Sequence, residues 1–298
     1  MKILLLGKNG QVGWELQRAL APLGEVLALD RRSKSDGLCG DLSNLSGLAT
    51  TIATLAPDVI VNAAAYTAVD KAESESEEAY LINARAVEVI ARETAKLDAL
   101  FVHYSTDYVF DGSGDQPWRE TDTTAPLNQY GASKLAGEQS IQASECKSLI
   151  LRTSWVYGAR RNNFATSILR LAGERESLNV IDDQIGVPTG ADLLADVVAH
   201  MIPLAIDNPQ LCGLYHLCAS GETSWHEYAQ FVIDAARQEG IVLKAETVEP
   251  IATAAYPTIA TRPLNSRLDT QKLQAAFPLR LPEWQQGVTR MLKEFLSK

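Results

Sequence analysis

Residues 2–6 (Lys-Ile-Leu-Leu-Leu) form an apolar run that stops at Gly7. A short apolar run ended by glycine is the pattern of a strand buried on both faces. Residues 11–20 then carry apolar side chains at helical spacing, and residues 26–30 read as a second strand ending in Asp30. Residues 58–64 (Asp-Val-Ile-Val-Asn-Ala-Ala) follow a proline and predict another buried strand. Residues 75–97, rich in Ala, Glu and Leu, predict a long helix capped by Ser74 or Ser76. Residues 100–105 and 149–156 predict further strands, with a helix at about 131–143 between them. Strands alternating with helices imply a parallel sheet covered on both faces, and right-handed crossovers make it a doubly wound α/β fold.

After Gly158 the rhythm changes. Helices are expected at 164–174, 191–205 and 283–296, a strand at 214–217, and a helix capped by Ser224 that reaches residue 238. The chain therefore divides into a first domain over 1–158, read as a Rossmann domain, and a second part over 159–298. The second part reads as a smaller, mainly substrate-binding lobe with some segments returning to the Rossmann sheet.

Gly7, Gly10 and Gly13 give Gly-x-x-Gly-x-x-Gly between the first strand and the first helix. Glycine lets the backbone turn tightly and approach a pyrophosphate, and the helix N-terminus offers free amides and partial positive charge to that anion. Gln11 and Val12 lie inside the same turn. Asp30 stands near the ~20-residue spacing at which an acid accepts hydrogen bonds from an adenosine ribose. A carboxylate there favours NAD(H), whereas Arg31 and Arg32 can pair with the 2′-phosphate of NADP(H). Either cofactor fits that pattern. Asp41, Leu42, Ala63, Ala64, Ala65, Thr67 and Tyr104 lie at or near predicted strand ends and complete the candidate cofactor groove.

Tyr130 and Lys134 form Tyr-x-x-x-Lys, which puts both side chains on one helical face. A free tyrosine titrates near ~10, and a neighbouring ammonium stabilises its phenolate. Tyr130 is thus expected to give a proton to a carbonyl oxygen as hydride reaches the carbon, with Lys134 lowering its pKa and touching the nicotinamide ribose. Thr106, at the carboxyl end of a strand, can hydrogen-bond the same oxygen.

Composition narrows the partners. A formal net charge of -10 repels phosphate backbones, so nucleic acid is not expected as a general partner. No stretch reaches the ~18 apolar residues of a membrane span. The start of the chain lacks the pattern of a signal peptide, so a cytoplasmic protein is expected. Cys39, Cys146, Cys212 and Cys218 are scattered and read as free thiols. His103, His200, His216 and His226 show no partner pattern and read as packing or surface residues. The run at 73–78 reads as an acidic first helical turn without a binding role.

Thr106, Tyr130 and Lys134 together resemble the extended short-chain dehydrogenase/reductase family, whose members mostly act on nucleotide sugars. The likeness continues through Ser105–Gly112, Arg152–Gly158, Asn162–Phe164, Asp183–Thr189 and Thr261–Leu268. It implies NAD(P)H-dependent reduction of the C4 ketone of dTDP-4-dehydro-β-L-rhamnose. It also implies that Trp155 lies against the sugar and Arg262 binds the diphosphate, with Asp107, Asn163 and Gln184 as further substrate residues. Related dehydratases carry Asp-Glu after the catalytic Thr. Here Asp107-Tyr108 lacks the base for elimination, which favours simple reduction. A homodimer is implied, with Mg²⁺ held between subunits by Glu15, Asp192 and Asp196. The alternatives are a reductase or epimerase of another nucleotide sugar, or a non-catalytic nucleotide-binding regulatory subunit.

Overall fold

Successive side chains of a strand point to opposite faces, and β1 (Lys2–Leu6) uses both. Ile3 and Leu5 enter one core, and Leu4 and Leu6 enter another. This is seen in a computed structural model that describes residues 1–33 and 37–297. The chain continues through α1 (Gln11–Leu20), β2 (Glu25–Leu29), α2 (Leu45–Leu55), β3 (Val59–Asn62) and α3 (Val69–Ala72). Next come α4 (Ser76–Tyr80), a π turn at Leu81–Arg85 and α5 (Ala86–Lys96). β4 (Leu100–Thr106), α6 (Gln129–Ala143) and β5 (Lys147–Thr153) follow.

Beyond β5 lie β6 (Val156–Tyr157), α7 (Phe164–Glu174), β7 (Ser177–Ile181), β8 (Ile185–Gly186) and β9 (Thr189–Gly190). They lead to α8 (Ala191–Asp207), β10 (Gly213–His216), β11 (Thr223–Ser224) and α9 (Trp225–Gln238). The chain closes with β12 (Thr247–Ile251), α10 (Gln271–Ala276) and α11 (Trp284–Leu296).

Six parallel strands form the central sheet in the order β2-β1-β3-β4-β5-β10. The order reverses between β1 and β3. That switch point opens a crevice at the carboxyl ends of the strands, where open α/β sheets bind ligands. Leu16 and Leu20 of α1 and Leu194, Val198 and Met201 of α8 cover one face of the sheet. Leu48 and Ile52 of α2, Val87 and Ile90 of α5 and Ile141 of α6 cover the other. The fold is therefore the expected Rossmann-type α/β architecture. Although α8 and β10 come late in the chain, they build the first core and the sheet edge. A separate core joins α7, α9 and α11 beneath the short strands, through Ile168, Tyr228, Val232, Trp284 and Val288.

Three expectations need correction. The run 149–156 is not one strand, because Trp155 takes φ +46° and breaks the extension between β5 and β6. The helix expected at 75–97 starts at Ser76 with Glu75 as N-cap, and neither Ser74 nor Ser76 caps it. A π turn then widens it at Leu81–Arg85. The acidic run before it does more than complement a dipole. Glu73 Oε1 accepts the Gln129 N–H at 2.8 Å, and Glu75 accepts the Tyr66 hydroxyl. α2 was not visible in the sequence because its Gly47 and Thr residues are poor helix formers. Asn44 caps it and Leu48 and Ile52 bury it, so packing overrides propensity.

Among the described residues one ion pair is wholly buried. Arg152 of β5 meets Glu138 of α6 through three N–H···O contacts between 2.6 and 3.2 Å. A buried guanidinium that loses its counter-charge is far costlier than an exposed one. Glu138→Gln is expected to cost about 3–5 kcal/mol of stability, read as a fall in the denaturant midpoint.

Candidate active site

The turn after β1 is shaped by the absence of two Cβ atoms. Gly7 has φ +89°, and a Cβ there would lie 2.7 Å from the Ala64 nitrogen. A Cβ on Gly13 would lie 2.1 Å from the Gly7 carbonyl oxygen. Both glycines answer to the protein's own packing. Gly10 differs, because a Cβ there would come no nearer than 3.3 Å to protein. It is the N-cap of α1, and no side chain caps that end of the helix. The space and the open amides therefore suit an anionic ligand.

A groove of about 740 Å³ runs from this turn along the carboxyl ends of the strands. Gly7, Gly10, Gln11 and Val12 line it beside Asp30, Arg31, Asp41 and Leu42. Ala63, Ala64, Ala65 and Thr67 form its middle, and Tyr104, Thr106, Tyr130 and Lys134 its far end. Of the candidate cofactor residues, Gly13 and Arg32 lie outside the wall, Gly13 being packed under the turn. Burial alone would raise the pKa of Asp30. The Arg32 N–H, the Ser33 hydroxyl and nearby Lys8 outweigh it and hold the carboxyl below its usual range. Asn9, unnoticed in the sequence, also donates to this carboxylate.

At the far end, Asn128 Oδ1 caps α6 by accepting the Gly131 N–H at 2.8 Å, which places Tyr130 in the first helical turn. Its phenol is within hydrogen-bonding reach of Thr106, whose hydroxyl donates to Asp107 Oδ1 at 3.1 Å. Lys134 is buried, and its amine donates to the Tyr104 carbonyl at 2.6 Å and meets His103 Nε2 at 3.2 Å. The common helical face holds, but the electrostatic expectation does not. Burial pushes the Tyr130 hydroxyl up to about 12, with the Asp107 carboxylate adding and the Thr106 bond opposing. Burial pulls Lys134 down to about 8, against the field of Glu138. Desolvation therefore outweighs any lowering of the phenol by Lys134. A protonated phenol at neutral pH is a competent acid, and its phenolate would draw a proton readily from an ammonium of pKa about 8.

Asp107 and Trp155 line the groove, whereas Asn163, Gln184 and Arg262 stand outside its wall. Asn163 caps α7 and donates to the Gly158 carbonyl at 2.7 Å. Gln184 is buried between Thr253 and Trp225. Arg262 is paired with Asp70 at 2.8 Å and sits beside Tyr108. Burial pushes the Asp107 carboxyl up to about 6. The Tyr108 ring meets Tyr130 edge-on, with centroids 5.7 Å apart.

The sequence reading missed Trp225, whose ring stacks on Trp155 with centroids 3.5 Å apart. It also missed Asn83, which accepts the Tyr66 N–H and donates to Ser133 of α6. A polar residue inside an apolar helical stretch was the available signal for Asn83. Trp225 gave none.

The three candidate metal ligands do not fit a magnesium site within one chain. Arg18 lies against Glu15 and Asp196, at 3.5 and 2.8 Å, and Arg290 lies 3.2 Å from Asp192. Among the described residues no cluster of three or more His, Cys, Asp or Glu can hold a metal ion.

The switch-point groove, with a glycine turn at one end and a Tyr–Lys pair at the other, defines a Rossmann-type oxidoreductase built like the short-chain dehydrogenase/reductases. Residues 1–297 match the family described as RmlD substrate binding domain, and the chain belongs to that family. It is 58% identical over 297 residues to the dTDP-4-dehydrorhamnose reductase of Salmonella typhimurium, covering 100% of this chain and 99% of that one. The dTDP-4-dehydrorhamnose reductase of Clostridium acetobutylicum has a similar crystal structure, with TM-score 0.88, 34% identity and full coverage of both chains. The Bacillus anthracis enzyme, solved in complex with NADP, gives TM-score 0.87 at 35% identity, covering 98% of this chain and 99% of that one.

The contrast between the glycines can be measured. Gly13→Ala should lower the melting temperature by several degrees, because α1 must move off the turn. Gly10→Ala should leave melting almost unchanged and weaken NADPH binding, followed by fluorescence titration, by roughly tenfold or more, the ~1.4 kcal/mol of one crowded phosphate contact.

Proposed function

We propose that this chain reduces the C4 ketone of dTDP-4-dehydro-β-L-rhamnose to the alcohol, with NAD(P)H bound along the groove. The observation that carries the reading is the meeting of Thr106, Tyr130 and Lys134 in one groove whose other end is an uncapped helix N-terminus behind Gly10. Bound NAD(P)H supplies the hydride. Tyr130 gives its phenolic proton to the sugar O4, and Thr106 orients that oxygen. Lys134 then returns a proton to the phenolate and bonds the nicotinamide ribose. Asp107 and Trp155 face the sugar. Arg262, once released from Asp70, takes the diphosphate at the rim. The dTDP specificity is carried over from the relatives of the same family. A cytoplasmic homodimer, with nucleotide binding over 1–158 and substrate binding mainly over 159–298, goes with this reading. No helix among the described residues is long and apolar enough to cross a membrane.

The decisive assay supplies dTDP-4-dehydrorhamnose with NADH or NADPH and follows both cofactor oxidation and formation of dTDP-rhamnose. Oxidation without dTDP-rhamnose would point to another nucleotide sugar, and binding without oxidation to a regulatory subunit. Tyr130→Phe should lose about 10²–10⁴-fold in kcat while NADPH affinity stays within roughly twofold, a margin of ~0.4 kcal/mol. The pH profile has a definite sign. Because burial lowers Lys134, its proton is present below about 8 and lost above it, so kcat/KM should fall on the alkaline side of that value.

A further inference from the structure

Behind Lys134 lies a buried chain of polar groups in which the donors and acceptors can be counted. Asn62 Oδ1 accepts the Ala64 N–H at 3.1 Å, so the Asn62 amide turns its NH₂ toward His103 Nδ1, 3.3 Å away. The other ring nitrogen, Nε2, faces the Lys134 amine at 3.2 Å, and that amine also donates to the Tyr104 carbonyl. Asn62, His103 and Lys134 are each at most 2% exposed, so no partner is supplied by bulk water.

An Asn NH₂ can only donate, so Nδ1 must be the acceptor and the ring proton belongs on Nε2. An Nε2–H pointing at Lys134 is satisfied by the lone pair of a neutral amine and opposed by an ammonium, which has none. If Lys134 is charged instead, the ring must carry its proton on Nδ1, where it meets the Asn62 NH₂ donor to donor. We infer that His103, its tautomer set by Asn62, is a positioning residue that favours the neutral amine of Lys134 and gives it up when the ring switches tautomer. The inference deepens the reading of Lys134 given above, and its test does not depend on the identity of the substrate.

Burial and the nearness of Lys134 hold His103 well below its usual range, so the ring stays neutral and only its tautomer is free to change. Other ionisable groups come from every element around α6. Tyr130 and Glu138 lie on the helix itself, with Glu138 tied to Arg152 of β5. Asp107 follows β4, and Asp70 of α3 is tied to Arg262. Glu77 of α4 pairs with Arg85, Glu78 lines the groove, and Glu93 of α5 pairs with Lys96. Of these, Glu138 is the one whose field bears on Lys134, and it favours the charged form. The neutral form therefore has burial and the His103 N–H on its side.

The test uses the full chain without ligand, labelled with ¹⁵N-histidine and ¹³C-lysine. There are four histidines, and His103→Phe assigns the resonance of His103. Long-range ¹H–¹⁵N correlation should show the Nε2–H tautomer at high pH, changing to Nδ1–H on the same midpoint as the Lys134 ε-carbon shift. Asn62→Asp keeps the acceptor for Ala64 and gives Nδ1–H a partner, so it should raise that shared midpoint by at least one pH unit. In the His103→Phe background the same substitution should move the Lys134 midpoint much less, which separates the chain from a through-space effect of the new carboxylate. An Nδ1–H ring throughout the titration, or an Asn62→Asp midpoint equal to that of the unaltered chain, would overturn the inference. If a variant does not fold, the tautomer of the unaltered chain still decides it.

Discussion

The bond from the buried Lys134 amine to the Tyr104 carbonyl, 2.6 Å long, ties α6 to the end of β4. A lysine amine cannot be buried without partners, and the Tyr104 carbonyl is one that this amine finds. Once that contact is made, the helical repeat places Tyr130 one turn nearer the N-terminus, beside Thr106 at the same strand end. Arg152 and Glu138 pin the next turn of the same helix to β5. Thr106, Tyr130 and Lys134 thus sit on regular elements, with α6 held to both β4 and β5.

The two ends of the groove are built from different materials. Near Gly10 the wall is backbone, and its chemistry is that of open amides and a helix dipole. Near Tyr130 the wall is side chain, and desolvation governs which groups hold protons. The segment joining them, Ala63 to Thr67, is held by Asn83, which bonds both Tyr66 and Ser133. Asn83 lies in the π turn, and such widened turns are frequent near functional sites. One amide side chain therefore ties the Ala63–Thr67 segment to α6.

Trp155 joins the sheet to the later half of the chain. Its left-handed backbone ends β5, and its ring stacks on Trp225 at the start of α9. Gly186 makes the position possible, since a Cβ there would lie 2.6 Å from the indole. Phe164, Tyr228 and Trp284 extend the aromatic cluster into the second core. A non-glycine residue at positive φ is costly and persists only where its surroundings enforce it, and that aromatic cluster does so here.

The sequence by itself determined the parallel sheet, the glycine turn, the acid after β2 and the common face of Tyr130 and Lys134. All of these follow from local sterics and periodicity, which act over a few residues. It did not determine what lies behind those residues. Asn163 and Gln184 looked available for substrate, yet one caps a helix and the other is buried between Thr253 and Trp225. Glu15, Asp192 and Asp196 were expected to hold Mg²⁺ between subunits, and within one chain Arg18 and Arg290 lie against them. His103 looked like packing, yet it faces the amine of Lys134. The direction in which Tyr130 is shifted was also settled only by the fold. Burial and hydrogen-bond partners depend on where distant segments return, and no spacing along the chain encodes them.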